Sequence, residues 1–366
     1  MAAHSVAAGW FTSQQVRVTG TPRFDFYADP WRDAALQHSR YAEEFSRPLV
    51  LIAGNFNRAN PWFGTGERAV KVFVADGYGE DDMRRWLEVE NGTMREMVEL
   101  ARRLAQAFPE ATFVYRPHPF EKAETYEGQL SGLPNLHLVK RGTIEGWILR
   151  ASAMIHRGSS TAIEASIAGV PAFSPSWIPA PVSYPAVDAV SVACSSEAEL
   201  CQGIRCAIQG SSATPDHVRR GLETVLSQWF SAIDGLAHRR VADAAMDCLA
   251  TGRVSLGACR DAMDNLDNRE TTWRERGRAR ARRLLRSSPF WRLRRSETGE
   301  SAWDRSERYF GVPEVQAAVN ALKPAAARIC VKAWQDVTVE AARPSRDYHF
   351  HYHGGRAVRI APLPAG

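Results

Sequence analysis

The sequence lacks any long apolar run: across its 366 residues, the longest aliphatic stretch is Leu49–Ala53. A membrane-spanning helix needs roughly 20 such residues, so no transmembrane segment is predicted. Residues 1–14 lack the basic segment and apolar core of an export signal. Cysteine is scarce, with six residues and no CxxC pair, which argues against a zinc site and against a disulfide framework. These absences predict a cytoplasmic protein with reduced thiols.

Positive charge is in small excess, at +5, but its distribution is uneven. Between Arg274 and Arg295 there are ten arginines and one acidic residue, Glu275. Such a block attracts polyanions. Because apolar residues are interleaved with it, one interpretation is peripheral contact with an anionic membrane surface, and the other is a disordered basic linker. Nucleic-acid binding is not expected, since the block lacks a recognisable module.

Strand-like segments alternate with helical ones over residues 46–250. This pattern predicts an α/β fold, a Rossmann-like parallel sheet covered by helices on both faces. The predicted strands are Leu49–Ala53, Ala111–Tyr115, Asn135–Val139, Ala153–His156 and Val170–Phe173. The predicted helices are one opened by a capping box at Thr93, one after Glu121, then Thr143–Arg150, Thr161–Ala168 with Gly169 as its cap, Glu197–Ile208 and Asp216–Ala232.

The flanking regions are less regular. Residues 1–45 are expected to be a linker or the remnant of an N-terminal half, with a short strand at Val16–Val18, a turn at Thr19–Asp25 and a charged helix at Trp31–Glu44. Residues 251–300 are predicted to be an arginine-rich linker. Residues 301–366 are predicted to hold a helix, Pro313–Leu322, and a tail, so the basic C-terminal extension is mostly helical or irregular.

The run Arg116-Pro117-His118-Pro119 directly follows a predicted strand. The two prolines restrict the backbone and hold His118 at the carboxyl end of the sheet, where ligands of open α/β sheets bind. A histidine there can donate a proton to a departing phosphate near neutral pH. The alternative is a histidine that only bonds neighbouring backbone.

A second candidate site is the stretch from His156 to Glu164, where a strand passes through Gly158, Ser159, Ser160 and Thr161 into a helix. Exposed amides at a helix start, with added hydroxyls, can hold an anion. The alternative is a capping box formed by Thr161 and Glu164. Glu164 could instead accept hydrogen bonds from ribose hydroxyls.

Four motifs occur in order: Thr19–Asp25, Ala53–Asn60, Arg116–Pro119 and His156–Glu164. Together they resemble the bacterial surface carbohydrate biosynthesis family, which is itself similar to Kdo transferases and bacterial sialyltransferases of GT-B architecture. The resemblance covers about residues 18–176, and more weakly 304–322. It implies that 46–250 is the C-terminal, nucleotide-sugar-binding half of a GT-B fold, and that the acceptor half lies outside this sequence.

The resemblance also implies roles for individual residues. His118 would assist departure of the phosphate, while Arg116, Pro119, His156, Gly158, Ser159, Ser160, Thr161 and Glu164 would bind the phosphate or nucleotide. Asn55, Asn57 and Asn60 are possible sugar contacts. No metal or cofactor is implied. The catalytic base has no secure match, and the nearest carboxylates are Asp25 and the cluster Glu80-Asp81-Asp82. The alternative for Asp25 is a turn or capping residue, and the alternative for the cluster is a solvated acidic loop.

The function expected from this resemblance is transfer of a sugar, Kdo or a related nonulosonic acid, from a CMP-activated donor. The acceptor would be a glycan or lipid-linked glycan at the inner face of the inner membrane. Use of CDP-glycerol or a UDP-sugar is an alternative, and a non-catalytic nucleotide-binding half-protein is another. Three alternating histidines in Tyr348–His353 give little reason to expect a metal site, because no carboxylate or cysteine lies nearby.

Overall fold

In the computed structural model, residues 2–45, 48–62, 64–250, 312–328, 337–342 and 357–362 are described. Six parallel strands form one sheet in the order β3-β2-β1-β4-β5-β6. The strands are β1 (Leu49–Ala53), β2 (Thr112–Arg116), β3 (Leu136–Leu138), β4 (Ala153–His156), β5 (Ala172–Pro175) and β6 (Val192–Cys194). This is the strand order of dinucleotide-binding Rossmann folds. The predicted Rossmann-like parallel sheet is therefore confirmed.

The sheet is held together by β1, whose five residues are all buried. Ala53, the last of them, pairs with Arg116 of β2 on one side and with His156 of β4 on the other. Because the strands are parallel, the loops after β1, β2 and β4 leave the same edge of the sheet. The expectation that the His118 loop and the Ser159 loop share one edge is confirmed, and the β1 loop lies between them.

Helices cover both faces of the sheet, and two apolar cores lie between the layers. The helices of this domain and its flanks are α1 (Ala2–Ala7), α2 (Trp31–His38), α3 (Gly66–Ala75), α4 (Glu80–Ala107), α5 (Glu124–Glu127), α6 (Ile144–Ile148), α7 (Thr161–Ile167), α8 (Pro185–Asp188), α9 (Glu197–Ile208), α10 (Asp216–Val225) and α11 (Ala237–Ala250). Short 3-10 helices occupy Pro22–Tyr27 and Arg40–Glu44, and a π-helix spans Leu226–Phe230.

Two elements predicted from the sequence are wrong. No strand forms at Val16–Val18, which is three residues long and has no neighbouring strand to pair with. No helix begins at Thr93, because this residue lies within the 28-residue helix α4. Its hydroxyl donates to the carbonyls of Val89 and Pro179, both at 2.8 Å, and so ties α4 to the loop after β5.

The N-terminal segment packs against the end of the domain. Asp25 is buried, and its carboxylate accepts hydrogen bonds from the amides of Ala237 and His238 at the start of α11 and from His238 Nδ1 at 2.8 Å. Further along the chain, α12 (Val312–Arg328) contacts α2 through Ala325. An antiparallel hairpin, β7 (Val337–Ala342) and β8 (Ala357–Pro362), was not predicted.

No helix in the described part of the chain has both the length and the apolar character needed to span a bilayer. The arginine block between Arg274 and Arg295 and the histidines near His351 lie outside the described residues.

Candidate functional site

The turn after β4 is built on a buried histidine. His156 is fully buried, and burial lowers its pKa to about 3, so the ring is neutral. The amide of Ser159 donates to His156 Nδ1 at 3.3 Å, which leaves the ring proton on Nε2, 3.0 Å from Ser191 Oγ. The Ser191 hydroxyl in turn donates to the carbonyl of Val187. His156 was expected to contact the nucleotide. In the structure it is buried beneath the turn and stabilises it through the hydrogen bond from the Ser159 amide.

Gly158 and the hydroxyl residues form the outer part of this turn. Gly158 has a φ of 76°, a conformation that residues with a Cβ rarely adopt. Ser159 Oγ and Thr161 Oγ1 are 2.8 Å apart, so one of these hydroxyls donates to the other and the second keeps its own proton for another acceptor. Ser160 is exposed, and within the described part of the chain neither its amide nor that of Thr161 has an acceptor. Two amides and a hydroxyl proton are therefore available to an anion at the start of α7.

Glu164 is not available in the way that ribose binding requires. It is buried, and its Oε2 accepts from Tyr27 at 2.8 Å and from Arg23 Nε at 3.1 Å, while Arg23 also pairs with Oε1 at 3.1 Å. Burial raises the pKa of Glu164, and the charge of Arg23 opposes that rise. The carboxylate anchors the N-terminal 3-10 helix to α7. The capping box with Thr161 is also absent from α7, whose N-cap Ser160 makes no side-chain capping bond.

The loop after β2 holds His118 at its rim. The His118 amide donates to Glu121 Oε1 at 2.9 Å, and Nδ1 accepts from the amide of Phe120 at 3.1 Å. In a neutral ring the proton therefore sits on Nε2. The side chain is partly exposed, whereas Pro119 and Phe120 next to it are exposed. His118 is thus oriented by its own loop.

Glu121 is the main residue that the sequence analysis missed. It is completely buried, and its Oε1 accepts from the amides of His118 and of Phe56 in the β1 loop, the latter at 2.8 Å. Its Oε2 accepts a very short hydrogen bond from the hydroxyl of Tyr126. One carboxylate therefore joins the loops that follow β1 and β2. The sequence around Glu121 does not indicate this role, because both groups that donate to Oε1 are backbone amides of loops.

Stability should depend on the protonation of Glu121. Burial, with repulsion from Glu90 adding to it, raises the pKa of Glu121 from 4.5 to about 7. A carboxyl with a raised pKa in the folded state contributes stability below pH 4.5 and loses that contribution as the pH rises through about 7. The shift corresponds to at most about 3 kcal/mol. Glu121→Gln, which cannot ionise, should flatten the dependence of melting temperature on pH between 5 and 8.

The matched control is Glu127→Gln, which removes an exposed carboxylate on α5 and should leave the pH profile unchanged. Parallel pH profiles for Glu121→Gln and the unmodified protein would contradict the assignment of this titration to Glu121.

Arg116 and Asn60, two residues predicted to contact the ligand, form hydrogen bonds within the fold instead. Arg116 is buried, and its guanidinium donates to the carbonyls of Arg141 and Gly142 in the loop after β3, the latter at 2.8 Å. Asn60 is buried as well: its Nδ2 donates to the carbonyl of Lys122, and its Oδ1 accepts from Thr125, both at 2.8 Å. These side chains fix neighbouring loops, so the predicted phosphate contact of Arg116 and sugar contact of Asn60 are not supported.

Asn55 behaves differently, because it joins two loops at the predicted site. Its Nδ2 donates to the carbonyl of Gly158 at 3.0 Å, which links the β1 loop to the β4 loop. Both residues line a small cleft together with Arg157, with part of α4 and with the segment from Ala180 to Tyr184. The cleft lies where the strand order reverses, between β1 and β4, the position at which Rossmann folds bind their ligands.

The cleft gathers only part of the predicted site. Asn55 and Gly158 line it, and the hydroxyl residues 159–161 follow Gly158 directly. His118 lies on the other side of the β1 loop and is connected to it through Glu121. Asn57 is partly exposed in the same loop but is not part of the cleft wall.

The carboxylates considered as a catalytic base have other roles. Asp25 binds the start of α11, which agrees with the capping alternative. Glu80, Asp81 and Asp82 form the first turn of α4, where negative charge is favourable, and not a solvated loop. Glu80 pairs with Arg84 at 2.8 Å on the exposed surface. None of these four residues lines the cleft.

No family model and no curated protein matches this sequence. Among solved structures, the chain is similar to the wall teichoic acid polymerase TagF, at 13% identity and a TM-score of 0.45, covering 69% of this chain and 57% of that one. It is similar to HepE from Anabaena in complex with UDP-glucose, at 14% identity and a TM-score of 0.34, covering 61% and 55%. It is also similar to WaaG, a glycosyltransferase involved in lipopolysaccharide biosynthesis, at 14% identity and a TM-score of 0.31, covering 58% and 53%.

The chain spans little more than half the length of these solved structures. The fold assignment rests on the chain's own strand order and parallel pairing.

Proposed function

We propose that this chain forms the donor-binding half of a GT-B-type glycosyltransferase that builds a bacterial surface polysaccharide. The observation that carries the proposal is the cleft between β1 and β4, bordered by the turn from Gly158 to Thr161. A nucleotide placed there would bring its phosphate to the turn and its sugar toward the cleft. The sequence motifs that suggest surface-glycan chemistry lie on the loops of this same sheet edge.

The phosphate would be bound mainly by backbone. The amides of Ser160 and Thr161 supply two hydrogen-bond donors, and the Ser159–Thr161 hydroxyl pair supplies a third. The buried ring of His156 holds the Ser159 amide from below and keeps the turn in this conformation. Such fixed donors are effective because they need no reorganisation when charge develops on the leaving phosphate.

His118 would complete the reaction at the rim of the site. During transfer, the bond between the sugar and the phosphate oxygen breaks, and the acceptor hydroxyl attacks the sugar carbon and releases its proton to water. His118 would donate a proton to the departing phosphate oxygen, a role that requires its loop to close toward the turn at 158–161. Hydrogen bonds through Asn55, Phe56 and Glu121 link the two loops.

The proposed donor is a CMP-activated nonulosonic acid such as Kdo, and the proposed acceptor is a glycan or lipid-linked glycan. The protein would then work in the cytoplasm at the inner face of the inner membrane, with the arginine block touching anionic lipid. Support for the CMP donor comes from the motif resemblance. CDP-glycerol or a UDP-sugar would use the same phosphate contacts, so the nucleotide has to be tested directly.

Ligand-detected NMR with CMP, CDP and UDP tests the donor class. We expect CMP to bind, with CDP weaker and UDP weakest. Tight UDP binding with none for CMP would contradict a CMP-linked donor while leaving a glycosyltransferase possible. Binding of a nucleotide without turnover of any activated form, even when an acceptor half is supplied, would favour a non-catalytic nucleotide-binding protein.

A further inference from the structure

Helix α4 places a buried carboxylate in the wall of the cleft. Glu90 is 2% exposed, and its Oε1 accepts from the amide of Arg58 at 3.2 Å. Its Oε2 has no hydrogen-bond partner among the described residues, and the nearest charge, Arg58 NH1, is 3.9 Å away. A buried carboxylate oxygen without a partner carries a substantial desolvation cost, which calls for an explanation.

One helical turn earlier, Trp86 has a hydrogen-bond donor without a partner, whereas Glu90 has an acceptor without one. Its indole N–H is buried and has no well-aligned acceptor in the described part of the chain. The indole makes at most a weak hydrogen bond to Glu90, which lowers the pKa of that carboxyl against the larger opposite effect of burial. The Arg58 guanidinium stacks over the Trp86 ring at 4.3 Å and also faces Phe73 at 5.4 Å. Both residues of α4 line the same cleft.

A hydroxyl group is the ligand that satisfies both atoms. It donates one hydrogen bond, which a carboxylate oxygen accepts, and it accepts one, which an indole N–H supplies. The cavity has a volume of about 20 Å³, close to the space that one water molecule or one hydroxyl group needs.

We propose that Glu90 and Trp86 form a subsite that binds a hydroxyl of the group attached to the nucleotide, the sugar that is transferred. This inference rests on the proposed function, since it assumes a nucleotide phosphate at the turn 158–161. The geometry is consistent with that arrangement, because Gly158 and Glu90 line one cleft. The subsite contributes to recognition of the sugar and not of the nucleotide.

The test compares the affinities of two ligands by calorimetry: CMP alone, and CMP linked to a hydroxyl-rich nonulosonic acid. In the unmodified protein the linked form should bind more tightly. Glu90→Gln should weaken binding of the linked form by about tenfold, because a bond to a charged acceptor is replaced by a neutral one, and should leave CMP binding unchanged. Trp86→Phe, which keeps a ring but removes the N–H, should have a smaller effect in the same direction.

The matched control is Glu88→Gln, which removes an exposed carboxylate from the same helix and should alter neither affinity. Equal weakening of CMP and of the linked form by Glu90→Gln would show a general effect on the fold and overturn the subsite. Unchanged affinities would mean that the unsatisfied atoms bind only water, which overturns it as well. If the unmodified protein binds neither ligand, the proposed function itself fails, and that result differs from either of the others.

Discussion

Replacement of His118 by alanine should lower the rate of nucleotide release from the activated donor by about a hundredfold or more, with little loss of stability. Proton donation by a positioned side chain contributes typically about 10² to 10⁴ to a rate. The melting temperature should fall by no more than about 4 °C, because the substitution removes one loop hydrogen bond, that from the Phe120 amide. The backbone bonds of His118 to Glu121 are kept.

The rate and the melting temperature have to be measured on the same preparation. His217→Ala is the matched control, because it removes an exposed histidine from α10 and should change neither quantity. A large drop in melting temperature for His118→Ala at an unchanged rate would mean that this histidine only stabilises its loop.

Replacement of Ser160 by proline should weaken nucleotide binding at least tenfold with little change in stability. Ser160 has a φ of −62°, which proline adopts readily, and its amide has no acceptor among the described residues. Proline therefore deletes one hydrogen-bond donor from the proposed phosphate site, and a bond to a charged group contributes roughly 1.5–3 kcal/mol. The carbonyl of Ser160, which accepts from Ile163, remains in place.

Ser160→Ala separates the backbone from the side chain, since it removes the hydroxyl and keeps the amide. It should weaken binding much less than the proline does, as measured by titration calorimetry with CMP. Equal effects of the two substitutions would indicate that the hydroxyl, and not the amide, contacts the phosphate. No effect of either would place the phosphate elsewhere.

The helices and strands that could be predicted from sequence are those with a clear local pattern of apolar residues. Leu49–Ala53 and Glu197–Ile208 were predicted with the bounds that the structure has, because one is a fully buried aliphatic run and the other is an amphipathic segment after the capping residue Ser196. The strand Val192–Cys194 was missed, since three residues at a sheet edge carry little pattern. Helix α3 was missed because glycine and polar residues precede it.

The roles of individual polar residues were harder to predict, because their partners are distant in sequence. Glu164 binds Arg23 across 141 positions, and Asp25 binds Ala237 across 212. Nothing in the local sequence distinguishes these carboxylates from ligand-binding ones. Motif reasoning located the right edge of the sheet, but it could not separate residues that face the cleft from those that hold the loops beneath it.

The predicted ligand contacts therefore concentrate on fewer residues than the motifs suggest. Arg116, Asn60, His156 and Glu164 are engaged within the fold, whereas Asn55, Gly158 and the residues 159–161 remain at or next to the cleft. Glu90 and Glu121, which no motif contained, lie in or behind its wall. The burial of a charged side chain, visible only in the folded chain, is what identifies both.

We propose above all that the turn after β4 binds the phosphate of a nucleotide at the crevice between β1 and β4. A crystal structure of the protein soaked with CMP tests it most directly. We predict that the phosphate lies within hydrogen-bonding distance of the amides of Ser160 and Thr161, with the ribose directed along the sheet edge. A nucleotide that is well ordered at any other place, with this turn unoccupied, would contradict the account.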